Sequence, residues 1–185
     1  MTFIDIHPTD YFYEAVRYLY CRGVISGYVD GSFRPHNLTT RGQLCKIVVL
    51  AEGFPIYTPP APTFIDVPAD YAFFPYVETA YHQGIVSGYG CGAGCLEFRP
   101  GTAVTRGQLC KIVVLGEGWA LYAPPVPTFR DVSVTDAFYA YVETAYLHGI
   151  ISGYGCGESC LEFRPGNSAT RGQICKIVYL AVTGP

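Results

Sequence analysis

The sequence has 185 residues, 50% of them hydrophobic, and a formal net charge of −3. Its twelve Lys and Arg residues are spread along the chain instead of clustered, which excludes nucleic acid as a partner. The longest aliphatic run, Ile47–Ala51, is far short of the roughly 18–20 apolar residues of a membrane helix, so no membrane insertion is expected.

The elements recur with a fixed spacing. TRGQLCKIVVL stands at Thr40–Leu50 and, unchanged, at Thr105–Leu115, and TRGQICKIVYL follows at Thr170–Leu180, so that Arg41, Arg106 and Arg171 are 65 residues apart. Such a period marks a repeat architecture. The units are 1–57, 58–122 and 123–185, and because a unit of about 60 residues buries too little surface alone, all three are expected to share one core.

Each unit opens on an F-x-D segment, Phe3–Asp5, Phe64–Asp66 or Phe129–Asp131. A first helix of about three turns follows, clearest at Phe74–Gly84, where Phe74, Val77, Ala80 and Tyr81 have helical spacing and a glycine suits the C-cap. Next come Ser-Gly-Tyr at Ser26, Ser87 and Ser152 and a turn-rich loop with at most a short strand, ending in Phe-Arg-Pro at Phe33, Phe98 and Phe163. The second helix starts at a capping box, Thr40 with Gln43, Thr105 with Gln108 and Thr170 with Gln173. Leu44, Ile47, Val48 and Ala51 give it an apolar stripe that closes at Gly53, or at Gly118 in the second unit. Proline-rich connectors, Tyr57–Pro62 and Tyr122–Pro127, read as stiff extended spacers.

Eight cysteines point to an oxidising, extracellular compartment, although Met1-Thr-Phe3 shows no signal peptide. Cys91/Cys95 and Cys156/Cys160 sit in glycine-rich loops and are expected to form disulfides. A metal is not expected, since zinc needs four ligands and neither loop carries a histidine. Cys45, Cys110 and Cys175 border the apolar stripe as buried thiols, with a Cys21–Cys45 bridge between the two helices of the first unit as the alternative.

F-x-D-V, a helix, G-I-x-S-G-Y, D-G-x-F-x-P and T-R-x-x-x-x-K-I, in that order and three times over, resemble the S-layer homology (SLH) module. The resemblance implies a mainly all-α fold, three helix-loop-helix repeats in one pseudo-threefold domain with short extended loop segments. It further implies a non-enzymatic role without cofactors, in which grooves between units hold an acidic, often pyruvylated, cell-wall polysaccharide through the arginine of a T-R-A-E motif. Arg41, Arg106 and Arg171 match that arginine, and Gln43, Gln108 and Gln173 stand where the motif has glutamate. The family's early tryptophan is Tyr11, Ala72 or Ala137 here.

From the residues themselves, each T-R-G-Q arginine lies in a first helical turn that favours an anion, or else packs on a tyrosine and closes a contact between units. Arg34, Arg99 and Arg164 read as pins of the loop, and Lys46, Lys111 and Lys176 as a solvated helix face. No catalytic set emerges, because His7, His36, His82 and His148 occupy non-equivalent positions. Asn37-Leu-Thr39 is a glycosylation sequon by pattern alone.

Two functions fit. The ends, Met1–Phe3 and Val182–Pro185, resemble a severed copy of the Val126–Phe129 junction, with no cargo domain attached. Head-to-tail contact would then make the chain a self-assembling subunit of an extracellular surface layer, sheath or filament, a homopolymer. The alternative is an anchor that binds acidic wall polysaccharide through the T-R-G-Q arginines.

Overall fold

The computed structural model describes residues 3–184. Met1, Thr2 and Pro185, on which part of the head-to-tail expectation falls, lie outside the described residues. Within them are six helices, α1 (Tyr13–Cys21), α2 (Arg41–Glu52), α3 (Phe74–His82), α4 (Arg106–Gly116), α5 (Tyr139–Leu147) and α6 (Arg171–Thr183). Two antiparallel hairpins complete the inventory, β1 (Tyr89–Gly92) with β2 (Cys95–Glu97) and β3 (Tyr154–Gly155) with β4 (Leu161–Glu162). The long loops of the second and third units are therefore paired strands, each closed by a disulfide, Cys91–Cys95 and Cys156–Cys160.

The long helices begin where the capping boxes stand. At each, the threonine hydroxyl accepts the glutamine N–H and the glutamine Oε1 accepts the threonine N–H. The short helices have no side-chain cap at their N-termini and end in a Schellman pattern, as at Gly84, where the Gly84 N–H donates to Tyr81 and the Ile85 N–H to Ala80. They are shorter than the periodicity suggests, and Tyr81 does not join the core stripe. It is 38% exposed and meets the Phe64 ring edge-on.

The helix-loop-helix unit is not the packing unit. α2 packs against α3, α4 against α5, and α6 against α1, so each short helix lies on the long helix of the preceding unit and the last pair closes the ring. The long helices α2, α4 and α6 touch one another at the centre. Beside them the chain ties a cycle of hydrogen bonds, Thr39 N–H to the Ala169 carbonyl, Ala169 N–H to Val104, and Val104 N–H back to Thr39. All three residues are fully buried. The buried apolar side chains of the three units form one contiguous cluster.

This pairing explains a correction. Cys21 and Cys45 do not bridge; Cys21 is exposed at the end of α1 while Cys45 is buried in α2, and α1 has α6 as its neighbour. Burial pushes the thiols of Cys45, Cys110 and Cys175 up to about 12. A second correction concerns the C-terminal end, where Val182 and Thr183 belong to α6 and are not extended connector.

The F-x-D motif builds the loops. In every unit its phenylalanine packs against that of Phe-Arg-Pro, the rings tilted by 36–49° with centroids 5.2–5.4 Å apart. Its aspartate accepts two backbone N–H groups from the same loop, for example Phe98 at 2.7 Å and Arg99 at 2.6 Å on Asp66. Those bonds hold Arg34, Arg99 and Arg164 at φ 60°, 59° and 61°, a left-handed conformation that non-glycine residues seldom adopt.

Candidate functional site

Because each short helix is lent to the preceding unit, three grooves open where all three repeats meet. The first is lined by Arg41 from unit one, Ser87–Tyr89, Gln108 and Lys111 from unit two, and Phe138 from unit three. The second has Arg106, Ser152–Tyr154, Gln173, Lys176 and Tyr11, and the third Arg171, Ser26–Tyr28, Gln43, Lys46 and Phe73. The structure thus brings the six T-R-G-Q side chains together in cyclic pairs, each arginine facing the glutamine of the following unit.

Each arginine does two things. Its Nε donates to the carbonyl of the next unit's Phe-Arg-Pro phenylalanine, Arg41 to Phe98 and Arg106 to Phe163 at 2.9 Å, Arg171 to Phe33 at 3.0 Å. The guanidinium also lies over that ring and over the neighbouring tyrosine, 4.4 Å from Phe98 and 5.2 Å from Tyr89 for Arg41. Arg99 covers the same tyrosine at 4.4 Å. One part of each guanidinium therefore closes the contact between units. The rest lines the groove, since Arg41 and Arg171 commit one further N–H to Ser87 or Ser26 and Arg106 none among the described residues.

The glutamines likewise serve both sides. Oε1 is spent on the cap, while Nε2 of Gln108 donates to the Tyr89 hydroxyl at 3.2 Å and that of Gln173 to Tyr154 at 3.4 Å. A glutamate there could not donate to the tyrosine hydroxyl and could only accept from it. Lys46, Lys111 and Lys176, expected on a solvated face, instead line the grooves, their ammonium groups 5.3–5.7 Å from the rings of Tyr76, Tyr141 and Tyr11. They do lie off the core stripe, but the next unit's first helix approaches that flank.

None of the three linings contains an aspartate or glutamate, so every groove presents one arginine and one lysine in a chain of net negative charge. The grooves differ in size, about 190 Å³ at Arg41, 430 Å³ at Arg106 and 180 Å³ at Arg171. The first unit has Ala15 where the others have Tyr76 and Tyr141, and Tyr11 where they have Ala72 and Ala137, which moves the aromatic by one helical turn at the largest groove. No cluster of metal-ligating side chains occurs among the described residues, and no helix there is long and apolar enough to cross a membrane.

The chain matches the S-layer homology domain family over residues 2–45, 63–110 and 128–175, one match per unit. It belongs to that family, whose members are proteins of the cell surface. It is similar to the Surface-layer 125 kDa protein of Lysinibacillus sphaericus, 29% identical over 146 residues that make up 76% of this chain and 11% of that one. It is also similar to an amylopullulanase of Thermoanaerobacterium thermosulfurigenes, 26% identical over 96% of this chain and 9% of the enzyme. An endoglucanase of Bacillus sp. (strain KSM-635) is 29% identical over 64% of this chain and 11% of its own length. The chain spans between 9 and 20% of the length of such relatives.

Proposed function

We propose that this chain is a non-enzymatic wall-binding module that holds an acidic cell-wall polysaccharide in its inter-repeat grooves. The observation that carries the reading is the groove lining itself: an arginine and a lysine from different units converge beside a tyrosine or phenylalanine, with no carboxylate in any of the three. A guanidinium whose Nε is already pinned is pre-organised to meet a carboxylate, and the aromatic surface suits a sugar face. The groove at Arg106, the largest and the one whose arginine keeps most of its donors, is the principal seat.

The relatives support binding over self-assembly. A surface-layer protein, an amylopullulanase and an endoglucanase share with this chain only a small part of their length. What those names have in common is neither a reaction nor a polymer, which leaves attachment as the shared task.

Replacing Lys46, Lys111 and Lys176 together by glutamine tests the reading, because among the described residues these side chains make no hydrogen bond or ion pair to another unit, only a cation–π approach of 5.3–5.7 Å to one ring each. Retention on acidic wall polysaccharide is expected to fall about tenfold or more with the melting temperature lowered by no more than a few degrees, and retention by the unaltered chain is expected to weaken with salt. Undiminished retention by the folded triple variant would sink the proposal. Sedimentation separates the alternative: polymers that form without glycan would favour the self-assembling subunit.

A further inference from the structure

The two loop disulfides occupy equivalent places in their repeats. Cys91–Cys95 and Cys156–Cys160 have the same sequence separation of 4 and the same 5.1 Å between Cα atoms, and each ties the hairpin whose tyrosine, Tyr89 or Tyr154, lines a groove. Loops this small remove little entropy from the unfolded chain, so the surroundings of the sulfurs decide how readily each bond opens.

Three differences set the loop of the third unit apart. The F-x-D segment runs beside the second strand of each hairpin, the Ile65 N–H donating to the Leu96 carbonyl and the Arg130 N–H to that of Leu161, both at 3.0 Å. The same register therefore places an isoleucine beside the first bridge and an arginine beside the second. Arg130 Nη1 donates to Cys160 Sγ at 3.8 Å while its Nη2 holds Glu162 at 3.1 Å, whereas the aliphatic Ile65 has nothing to donate to Cys95. Next, β3 and β4 pair only Tyr154 with Glu162 and Gly155 with Leu161, against three pairs between β1 and β2. Finally, Ser159 stands at φ 55° where the other loop has Gly94 at φ 71°, a left-handed conformation that glycine adopts freely and serine does not. Glu158, in the place of Ala93, is the opposing charge between the two cysteines, but it is exposed to the solvent that screens it, while Arg130 touches the sulfur.

We propose that Cys156–Cys160 is a thiol-exchange site, opened by low-molecular-weight thiols under conditions that leave Cys91–Cys95 closed. The incoming thiolate attacks Cys156 Sγ, the bond between the two cysteines breaks, and its electron pair leaves on Cys160 Sγ, where the Arg130 guanidinium stabilises the thiolate until water protonates it. The first product is a mixed disulfide on Cys156, two residues from Tyr154 in the wall of the largest groove. A second thiolate attacks the reagent's sulfur in that mixed disulfide and releases the Cys156 thiolate, so two reagent thiols become one disulfide as the protein disulfide gains two electrons. Exposure alone gives the opposite order, since Cys91 is exposed and Cys156 half-buried.

The full chain is treated with excess dithiothreitol, quenched with acid at intervals, alkylated and mapped by mass spectrometry, which times each bridge separately. Cys156–Cys160 is expected to open at least about fivefold faster than Cys91–Cys95. Arg130→Ile should remove most of that lead, and Ile65→Arg should speed the opening of Cys91–Cys95 several-fold, because Glu97 stands where Glu162 holds Arg130. Both side chains are exposed, so the melting temperature of either variant should stay near that of the unaltered chain. With 2-mercaptoethanol, a monothiol, the acid-quenched adduct should be found on Cys156. Equal rates for the two bridges, faster opening of Cys91–Cys95, a full lead retained by Arg130→Ile, no acceleration in Ile65→Arg, or an adduct on Cys160 would each overturn the inference.

Discussion

Glu52 and Glu117 end α2 and α4 and come within hydrogen-bonding reach across the contact between those helices. Burial pushes the Glu52 carboxyl up to about 7, helped by the charge of Glu117 and the bond to it, and burial raises Glu117 as well. Glu117 Oε1 is buried without a partner unless a proton is present on the pair. The folded chain then holds a proton that the unfolded chain releases above its ordinary value of 4.5, so stability from this pair is full below that pH and declines as pH rises toward 7. Thermal melting is expected to fall across that window, and Glu52→Gln should flatten the slope and raise the melting point at pH 7.5. Thr39 is a second costly residue, fully buried with an unpartnered hydroxyl where the other units place Val104 and Ala169. Thr39→Val should stabilise by about 1 kcal/mol, a rise of a few degrees in Tm, while erasing the Asn37 sequon.

Among the elements, the long helices carry a glycine in the first turn whose reason differs between units. A Cβ at Gly107 would stand 2.7 Å from the Phe138 ring, and one at Gly172 2.7 Å from Phe12, whereas at Gly42 nothing approaches closer than 3.3 Å. Alanine gains about 1 kcal/mol over glycine inside a helix, which Gly42→Ala can keep in part. Gly107→Ala and Gly172→Ala are expected to lose about 1–3 kcal/mol in denaturant titrations, because the ring that must shift belongs to the N-cap residue of a packed helix, Phe138 before α5 or Phe12 before α1. A similar loss at all three positions would show that the helix interior, not the ring, sets the cost. The helix starts were legible in the sequence because a capping box is a local device, as were the ends at Gly53 and Gly84. A short strand was expected in these loops but its pairing into a hairpin was not: Gly90, Gly92 and Gly94 read as turn, and the pairing of Tyr89 with Glu97 around a bulge leaves no alternating apolar pattern.

For the whole molecule, the repeat count and shared periodicity were plain, but the partner of each helix was not, since a stripe such as Leu44–Ala51 says which face is apolar and nothing of which neighbour covers it. Lys46 was therefore correctly placed off the core and wrongly left in solvent, and the F-x-D aspartate was seen as a motif without its role, because its two acceptor bonds span 28 to 33 residues. The ring makes a firm prediction. Deleting residues 127–185 removes α5 and α6 and bares the inner faces of both α4 and α1, at opposite ends of the remaining chain. Such a fragment should lack a sharp calorimetric transition, and a cooperative melt near that of the full chain would show that the repeats stand alone.

The lending of each short helix to the unit before it also constrains how such a chain can vary. The first unit gives Arg41 to one groove, Tyr11 to another, and Tyr28, Gln43 and Lys46 to the third. The second and third units do likewise. A repeat exchanged by recombination for a foreign one would therefore put a mismatched side into every groove at once, whereas a single substitution such as Tyr11, standing where the other units have alanine, reshapes one groove and leaves two as they were.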